Sequence, residues 1–202
     1  MTVDLSQYDI VLAVDKSGSM ATNDGPGGLT RWQAAKEAAV ALATKAIQYD
    51  DNGIDVVPFS SSHRLYEGVT PDKVVQVFEE NDPMGSTNTA GVLKAIFDRY
   101  FAAKAAGKAK PVIIQVITDG APDDRNAVKR AIIEATQKMD VDEELAVQFL
   151  QYGNDSSVPA FLKELDDDLQ TQGAKFDIVD YKTAEEAENT PLAELLQLAV
   201  SD

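Results

Sequence analysis

The chain is organised around one stretch near its start, Ile10-Val11-Leu12-Ala13-Val14-Asp15-Lys16-Ser17-Gly18-Ser19. Its first half is short and rich in β-branched and aliphatic residues, which predicts a central parallel strand over residues 9–14. The polar half then lies at the carboxyl end of that strand, where open α/β sheets bind ligands. One carboxylate and two hydroxyls on a tight loop are hard oxygen donors. They suit Mg²⁺, Mn²⁺ or Ca²⁺ better than softer metals.

Two later loops place polar side chains next to predicted regular structure. The loop Gly85-Ser86-Thr87-Asn88-Thr89 leads into a helix predicted over residues 90–106, and an apolar strand over residues 111–118 closes on Thr118-Asp119-Gly120. Each loop also has an ordinary explanation when it is taken alone. Threonines before a helix suit N-cap chemistry, Asp119 suits a solvated turn, and the Asp15 string suits a plain turn.

Together the three loops resemble the metal-ion-dependent adhesion site of the von Willebrand factor A domain. Asp15, Ser17 and Ser19 match its Asp-x-Ser-x-Ser signature. Thr87 matches the threonine of its glycine-threonine loop, although Ser86 replaces the second glycine, and Asp119 matches the carboxylate of its Thr-Asp-Gly element. The matches occur in the family's order. The resemblance implies a metal site formed by Asp15, Ser17, Ser19, Thr87 and Asp119, with Thr89 as the helix cap.

Predicted strands alternate with helices along the chain, which indicates a mostly parallel sheet with helices on both faces. Further strands are predicted at residues 54–60, 63–67, 145–150 and 174–179. Further helices are predicted at residues 31–49, 71–80, 125–139, 158–169 and 191–199. The resemblance covers nearly all of the chain and implies one domain over residues 1–202. It also implies a Rossmann-like, doubly wound, six-stranded sheet of order 3-2-1-4-5-6 with one short antiparallel edge strand.

Several smaller features have a local interpretation. Thr30 with Gln33 predicts a capping box, and Trp32 is expected to anchor the first helix in the core. Asp123 or Asp124 is expected to cap the helix that follows. The acidic runs at residues 166–168 and 185–188 are interpreted as solvated surface.

The resemblance implies protein–protein interaction rather than catalysis, so we expect no enzymatic activity. In the family some site residues contact the metal directly and others through water. Mg²⁺ favours octahedral geometry and keeps several waters, so one coordination position is available to an Asp or Glu of a partner protein. Mn²⁺ or Ca²⁺ would serve in the same way.

Two other functions could also account for parts of this pattern. The first alternative is a Mg²⁺-dependent phosphoryl-transfer enzyme, since haloacid-dehalogenase-type phosphatases also place an Asp after the first strand. They need a second Asp two residues later, where this chain has Ser17. Phosphate-binding and nucleophile-elbow motifs are absent, and His63 has no triad context, so we expect a surface histidine. A metal-independent scaffold is the other, and the complete ligand set argues against it.

Composition restricts the partners and the location. The chain has 34 Asp and Glu against 18 Lys and Arg, a net charge of −16, which disfavours nucleic acid and anionic lipid. It has no cysteine and one histidine, which excludes disulfides, thiolate metal sites and multi-histidine zinc sites. Residues 1–7 lack a signal-peptide pattern and no apolar run could span a bilayer. We therefore expect a cytoplasmic protein without membrane insertion, similar to the intracellular prokaryotic members of the family, including those linked to stress responses. The partner's identity and the oligomeric state stay open.

Overall fold

A six-stranded sheet forms the centre of the computed structural model, which describes residues 4–48, 52–153 and 155–201. Its strands are β1 (Asp9–Asp15), β2 (Ile54–Phe59), β3 (Tyr66–Val69), β4 (Val112–Thr118), β5 (Leu145–Gln151) and β6 (Val179–Thr183). They lie in the order β3-β2-β1-β4-β5-β6. Neighbouring strands are parallel except for β2 and β3. The predicted strand order and antiparallel edge strand are confirmed.

Seven α-helices connect and flank these strands in the described part of the chain. They are α1 (Arg31–Ala46), α2 (Pro71–Glu79), α3 (Thr89–Ala105), α4 (Arg125–Lys138), α5 (Val158–Asp167), α6 (Ala184–Asn189) and α7 (Leu192–Leu198). A short 3-10 helix, Gly18–Ala21, directly follows the loop after β1. None of the helices described here is both long and apolar enough to cross a membrane.

Strand β1 contributes to two hydrophobic cores, one on each face of the sheet. Ile10, Leu12 and Val14 pack with residues of α1, α2 and α7, while Val11 and Ala13 pack with residues of α3, α4 and α5. A strand that is covered on both faces carries apolar residues without alternation, as this one does. The predicted placement of helices on both faces is therefore confirmed.

The start of α1 follows the prediction closely. Thr30 Oγ1 accepts a hydrogen bond from the Gln33 amide, and the Gln33 side chain accepts one from the Thr30 amide. Trp32 is 8 % exposed and its ring lies 4.3 Å from that of Phe78 on α2, so it is a core anchor as expected. The helix itself ends at Ala46, and the predicted end at residue 49 lies outside the described residues.

The position of the last strand was predicted wrongly. The apolar residues of 174–179 suggested a strand there, but β6 begins only at Val179, which pairs with Val147 of β5. Before this strand, Gln170–Gln172 form a 3-10 turn, which ends at Gly173 with a left-handed backbone conformation (φ of 113°). The true strand contains Asp180, which is buried; a hydrogen bond from Gln148 and an ion pair with Lys182 compensate its carboxylate. In a sequence, an aspartate argues against a buried strand, so the pattern did not predict β6 at this position.

Helix boundaries were also corrected in two places. The acidic run at 185–188 lies in the unpredicted helix α6, where Thr183 and Glu186 form a capping box. Acidic residues in a first helical turn are favourable because they complement the helix dipole. Thr89 is the first residue of α3 rather than its cap. The cap is Asn88, whose side chain accepts a hydrogen bond from the Gly91 amide at 3.0 Å.

The edge strand begins later than predicted. Residues 63–67 were expected to form it, but β3 spans Tyr66–Val69, and His63 makes only an isolated bridge with Phe59. The backbone turns back at Ser60, whose amide donates to the Ser62 carbonyl at 2.8 Å. The chain therefore reaches ladder geometry only after this turn.

Candidate metal site

Asp15 is the last residue of β1 and is fully buried. Its Oδ1 accepts a hydrogen bond from the Ser17 amide at 2.7 Å, which closes the loop after the strand. Its Oδ2 accepts one from Thr118 Oγ at 2.8 Å. Thr118 ends β4, the strand beside β1. The carboxyl ends of two adjacent parallel strands thus hold this carboxylate in one orientation.

Three further predicted residues continue the same network. The hydroxyl oxygens of Ser17 and Ser19 lie 3.1 Å apart, and Ser19 Oγ donates to Asp119 Oδ1 at 2.8 Å. Asp119 follows β4 directly and is 1 % exposed. The structure therefore joins Asp15, Ser17, Ser19 and Asp119, although residues 19 and 119 are distant in the chain.

The loop that carries Thr87 is held against the loop after β1 by backbone hydrogen bonds. The Gly18 amide donates to the Gly85 carbonyl at 3.2 Å, and the Met84 amide donates to the Lys16 carbonyl at 2.6 Å. Gly85 has φ of 87°, a left-handed backbone conformation that favours glycine, and a Cβ there would also lie 2.9 Å from Ser61 Oγ. The loop containing Thr87 thus lies beside the network.

Asp123 fixes the backbone at Thr87 itself. Its Oδ1 accepts from the Thr87 amide at 2.9 Å, and its own amide donates to the Thr87 carbonyl at 2.9 Å. Within the described part of the chain, the Thr87 side chain makes no hydrogen bond to the other four predicted residues. Asp124, not Asp123, caps α4, with Oδ1 accepting from the Ala127 amide at 2.9 Å. Of the two candidates for this cap, Asp124 is the cap and Asp123 has a different role.

Arg31 is a component of the site that sequence reasoning missed. It is the first residue of α1, and its Nη1 donates to Asp119 Oδ2 at 2.7 Å. The same guanidinium donates to both carboxylate oxygens of Asp24, each at 2.7 Å. An arginine at the start of a helix carries no local signal of a contact with a residue after β4. Thr118 was missed too, although it belongs to the Thr-Asp-Gly element.

The electrostatics of the site are dominated by buried negative charge. Burial raises the pKa of Asp15 to about 6, although hydrogen bonds from Ser17 and Thr118 favour the charged form. The nearby Asp119 raises that pKa further by repulsion. The partners of Asp15 in this network are a neutral amide and a neutral hydroxyl, so a cation at the site would stabilise its carboxylate.

The donor chemistry fits a hard divalent cation. Asp15 and Asp119 provide two carboxylates, Ser17 and Ser19 provide hydroxyls in the same network, and Thr87 lies on the adjoining loop. All five donors are oxygens, which Mg²⁺, Mn²⁺ and Ca²⁺ prefer. Nowhere in residues 4–48, 52–153 and 155–201 do three or more His, Cys, Asp or Glu side chains form a metal-binding group.

His63 takes no part in this network. It is exposed, and it borders a small apolar cavity of about 130 Å³ with Leu65, Ile96 and Arg99. The expectation of a surface histidine agrees with this position.

Comparison with known proteins identifies the family. The family model for the von Willebrand factor type A domain matches residues 10–121, more than half of the chain and all three loops. No curated protein matches the sequence significantly.

Several solved structures share the fold at low sequence identity. The SpRpn10 VWA domain has a TM-score of 0.58 and 11 % identity, over 92 % of this chain and 96 % of that one. The PilB minor pilin of Streptococcus sanguinis, as its D319A mutant, has a TM-score of 0.63 and 15 % identity, over 96 % and 60 %. The manganese-loaded TRAP protein of Plasmodium vivax has a TM-score of 0.55 and 18 % identity, over 92 % and 72 %. The matched family model and the shared sheet order lead to one conclusion: this chain belongs to the von Willebrand factor type A domain family.

Proposed function

We propose that this protein is a metal-dependent protein-interaction module. Domains of this family are typically interaction modules, and the proposal adds the chemistry of one site. Asp15, Ser17, Ser19, Thr87 and Asp119 would hold Mg²⁺, or Mn²⁺ or Ca²⁺ in its place. The observation that carries the proposal is the hydrogen-bond network that gathers Asp15, Ser17, Ser19 and Asp119 where β1 and β4 end.

The charge of the donor set favours a partner that brings a carboxylate. Only two of the five proposed ligands are charged, and Arg31 pairs with one of them, Asp119. When bound, a divalent ion would supply a Lewis-acidic centre with a coordination position for an external oxygen. The two carboxylates balance the divalent ion, and the charge of Arg31 then leaves the site with a net positive charge. An Asp or Glu of the partner protein is the oxygen donor that best balances this charge. The manganese-loaded TRAP protein, which shares the fold, is consistent with the metal part of this proposal.

We also propose that the protein is not an enzyme. A phosphatase of the haloacid-dehalogenase type would need a carboxylate at Ser17 to move a proton, and a serine hydroxyl is too weak an acid and base for that role. We expect no Mg²⁺-dependent turnover of a generic phosphate monoester. Turnover that is lost in Asp15→Asn would contradict the proposal. The cytoplasmic location expected from the sequence stays a prediction.

Isothermal titration tests the metal site directly. Metal-free protein is titrated with Mg²⁺, Mn²⁺ and Ca²⁺, and we expect one saturable site that Asp15→Ala abolishes. Asp98→Ala is the matched control, because Asp98 is an exposed carboxylate that pairs with Lys94 on α3 and has no contact with the network. It should bind as the wild type does. Equal binding by Asp15→Ala, or no binding by the wild type, would refute the site.

Capture of partners tests the interaction. Immobilised wild type should retain proteins from a native lysate in Mg²⁺ and release them in a chelator, while Asp15→Ala should retain none of them. Retention that is unchanged by the chelator and by the substitution would instead support a metal-independent scaffold.

A further inference from the structure

Both oxygens of the Asp119 carboxylate have hydrogen-bond donors in this structure, and one donor is a cation. Ser19 Oγ donates to Oδ1 at 2.8 Å, and Arg31 Nη1 donates to Oδ2 at 2.7 Å. The Asp119 side chain is fully buried and that of Arg31 is 12 % exposed, so water screens this ion pair weakly. A full positive charge therefore contacts one of the two carboxylates of the proposed metal site.

The position of the guanidinium is built by three separate parts of the fold. The Arg31 amide donates to the Thr22 carbonyl at 3.0 Å, which fixes the start of α1. Asp24 holds the guanidinium through Nε and Nη2, which leaves Nη1 for Asp119. Gly153, after β5, has φ of 77°, and a Cβ there would lie 2.5 Å from Arg31 Cζ. The absent side chain at Gly153 thus leaves the space that the guanidinium fills.

We propose that Arg31 is the resident cation of the metal-free site and that it competes with the divalent ion for Asp119. The inference rests on the proposed function, because it assumes that the five oxygen ligands bind a metal. In the metal-free protein, Arg31 compensates one of two buried carboxylates and so stabilises the fold. In the metal-bound protein, the same charge lies beside a divalent cation and repels it. Arg31 therefore lowers the intrinsic metal affinity of the site.

Four proteins test this competition: wild type, Arg31→Gln, Arg31→Lys and Arg99→Gln. Arg99 is the matched control, because it also bridges two carboxylates, those of Asp55 and Glu67, but contacts none of the site residues. Each protein is titrated calorimetrically with Mg²⁺ and Mn²⁺, and its unfolding temperature is measured in a chelator and in saturating Mg²⁺.

Removal of the charge at Arg31 should tighten metal binding and weaken the metal-free fold. We expect the Kd of Arg31→Gln to fall at least about tenfold, the effect of one unit charge near an ion in a partly buried site. Its unfolding temperature in the chelator should fall by about 5 °C, because Asp119 loses its counter-ion. Saturating Mg²⁺ should recover most of that loss, since tighter binding stabilises the folded state more. Arg31→Lys keeps the charge but loses the two-nitrogen contact with Asp24, so its Kd should lie between those of wild type and Arg31→Gln.

The outcomes separate this inference from the proposed function. Equal metal affinity in wild type and Arg31→Gln overturns the competition and leaves the metal site standing. An equal gain in Arg99→Gln assigns the effect to net charge and also overturns the competition. Metal binding by Arg31→Gln but not by wild type supports the competition and refutes the proposed metal-dependent function of the wild-type protein. No binding by any of the four proteins overturns both proposals.

Discussion

Asp15 carries its charge where water does not reach it, and this makes it the most costly residue of the site in the absence of metal. Burial raises its pKa from the ordinary value of 3.8 to about 6, even though two neutral donors contact its carboxylate. If only stability mattered, an amide or an apolar side chain would be favoured at this buried position. Its presence at the end of β1 is consistent with the metal site proposed above.

The metal-free protein should lose stability as the pH rises from about 4 to about 6. In that range the folded state keeps the Asp15 proton and the unfolded state releases it, so folding takes up a proton and a rising pH opposes it. Above about pH 6 the full free-energy cost of burying the ionised Asp15 carboxylate is present. Asp15→Asn should remove it and raise the free energy of unfolding at pH 7 by up to about 3 kcal/mol. Urea unfolding between pH 4 and pH 8 in a chelator measures this.

Asn is a suitable substitute because its amide can meet the same two partners. Its oxygen can accept from the Ser17 amide, and its NH₂ group can donate to the Thr118 hydroxyl. Asp98→Asn on the exposed face of α3 is the control and should follow the wild-type profile. A profile of Asp15→Asn that stays parallel to the wild type would show that burial does not penalise this carboxylate.

At the scale of elements, buried polar side chains connect three strands and the last helix. Gln115 of β4 donates to Gln148 of β5 at 2.7 Å, and Gln148 donates to Asp180 of β6 at 2.6 Å. Gln148 also donates to the Leu195 carbonyl of α7 at 2.9 Å, and Lys182 pairs with Asp180. Every buried polar group in this ladder has a partner. The ladder therefore fixes the position of β6 and of α7 on one face of the sheet.

Gln148→Leu should break this ladder at its centre. Gln115 and Asp180 would each lose a partner in the core, and unsatisfied buried groups cost more than a hydrogen bond contributes. We expect a loss of about 3 kcal/mol in urea unfolding, with faster amide exchange in α7. Gln137→Leu is the control, because the exposed side chain of Gln137 donates a hydrogen bond to the Gly173 carbonyl and takes no part in the ladder. It should cost under about 1 kcal/mol, and an equal loss in both variants would count against the ladder.

At the scale of the whole molecule, the net charge of −16 acts on stability and on metal binding. Unscreened repulsion among so many carboxylates disfavours the compact state, and salt reduces it. The same field concentrates cations near the surface without any specific site. A specific metal site must therefore be distinguished from this general attraction.

Sodium chloride and magnesium chloride at matched ionic strength separate the two effects. Raising sodium chloride from about 0.02 M to 0.5 M should increase the unfolding temperature of wild type and Asp15→Ala alike, because screening acts on the whole surface. Magnesium chloride should give the wild type a further increase that Asp15→Ala lacks. An identical response to both salts in the two proteins would mean that only screening operates.

The sequence predicted more of the site than of the late part of the fold. The alternation of strands and helices followed from apolar runs that end in polar loops. The sheet order and the site residues Asp15, Ser17, Ser19 and Asp119 followed from the family resemblance, whose motifs match in order. The late strand did not follow, because Asp180 looks solvated unless Gln148 lies beside it. The cap of α3 was misplaced by one residue, because adjacent Asn88 and Thr89 both suit an N-cap.

The sequence alone determined the strands and helices that depend on local apolar patterns, and the loops whose polar residues occur at fixed spacing. These features are encoded within a few residues, so no knowledge of spatial neighbours is needed. Only the tertiary structure decided that Arg31 contacts Asp119 and that Asp123 holds the backbone of Thr87. Those contacts join residues that are distant in the chain, and they exist because parallel strands bring their carboxyl ends to one edge of the sheet.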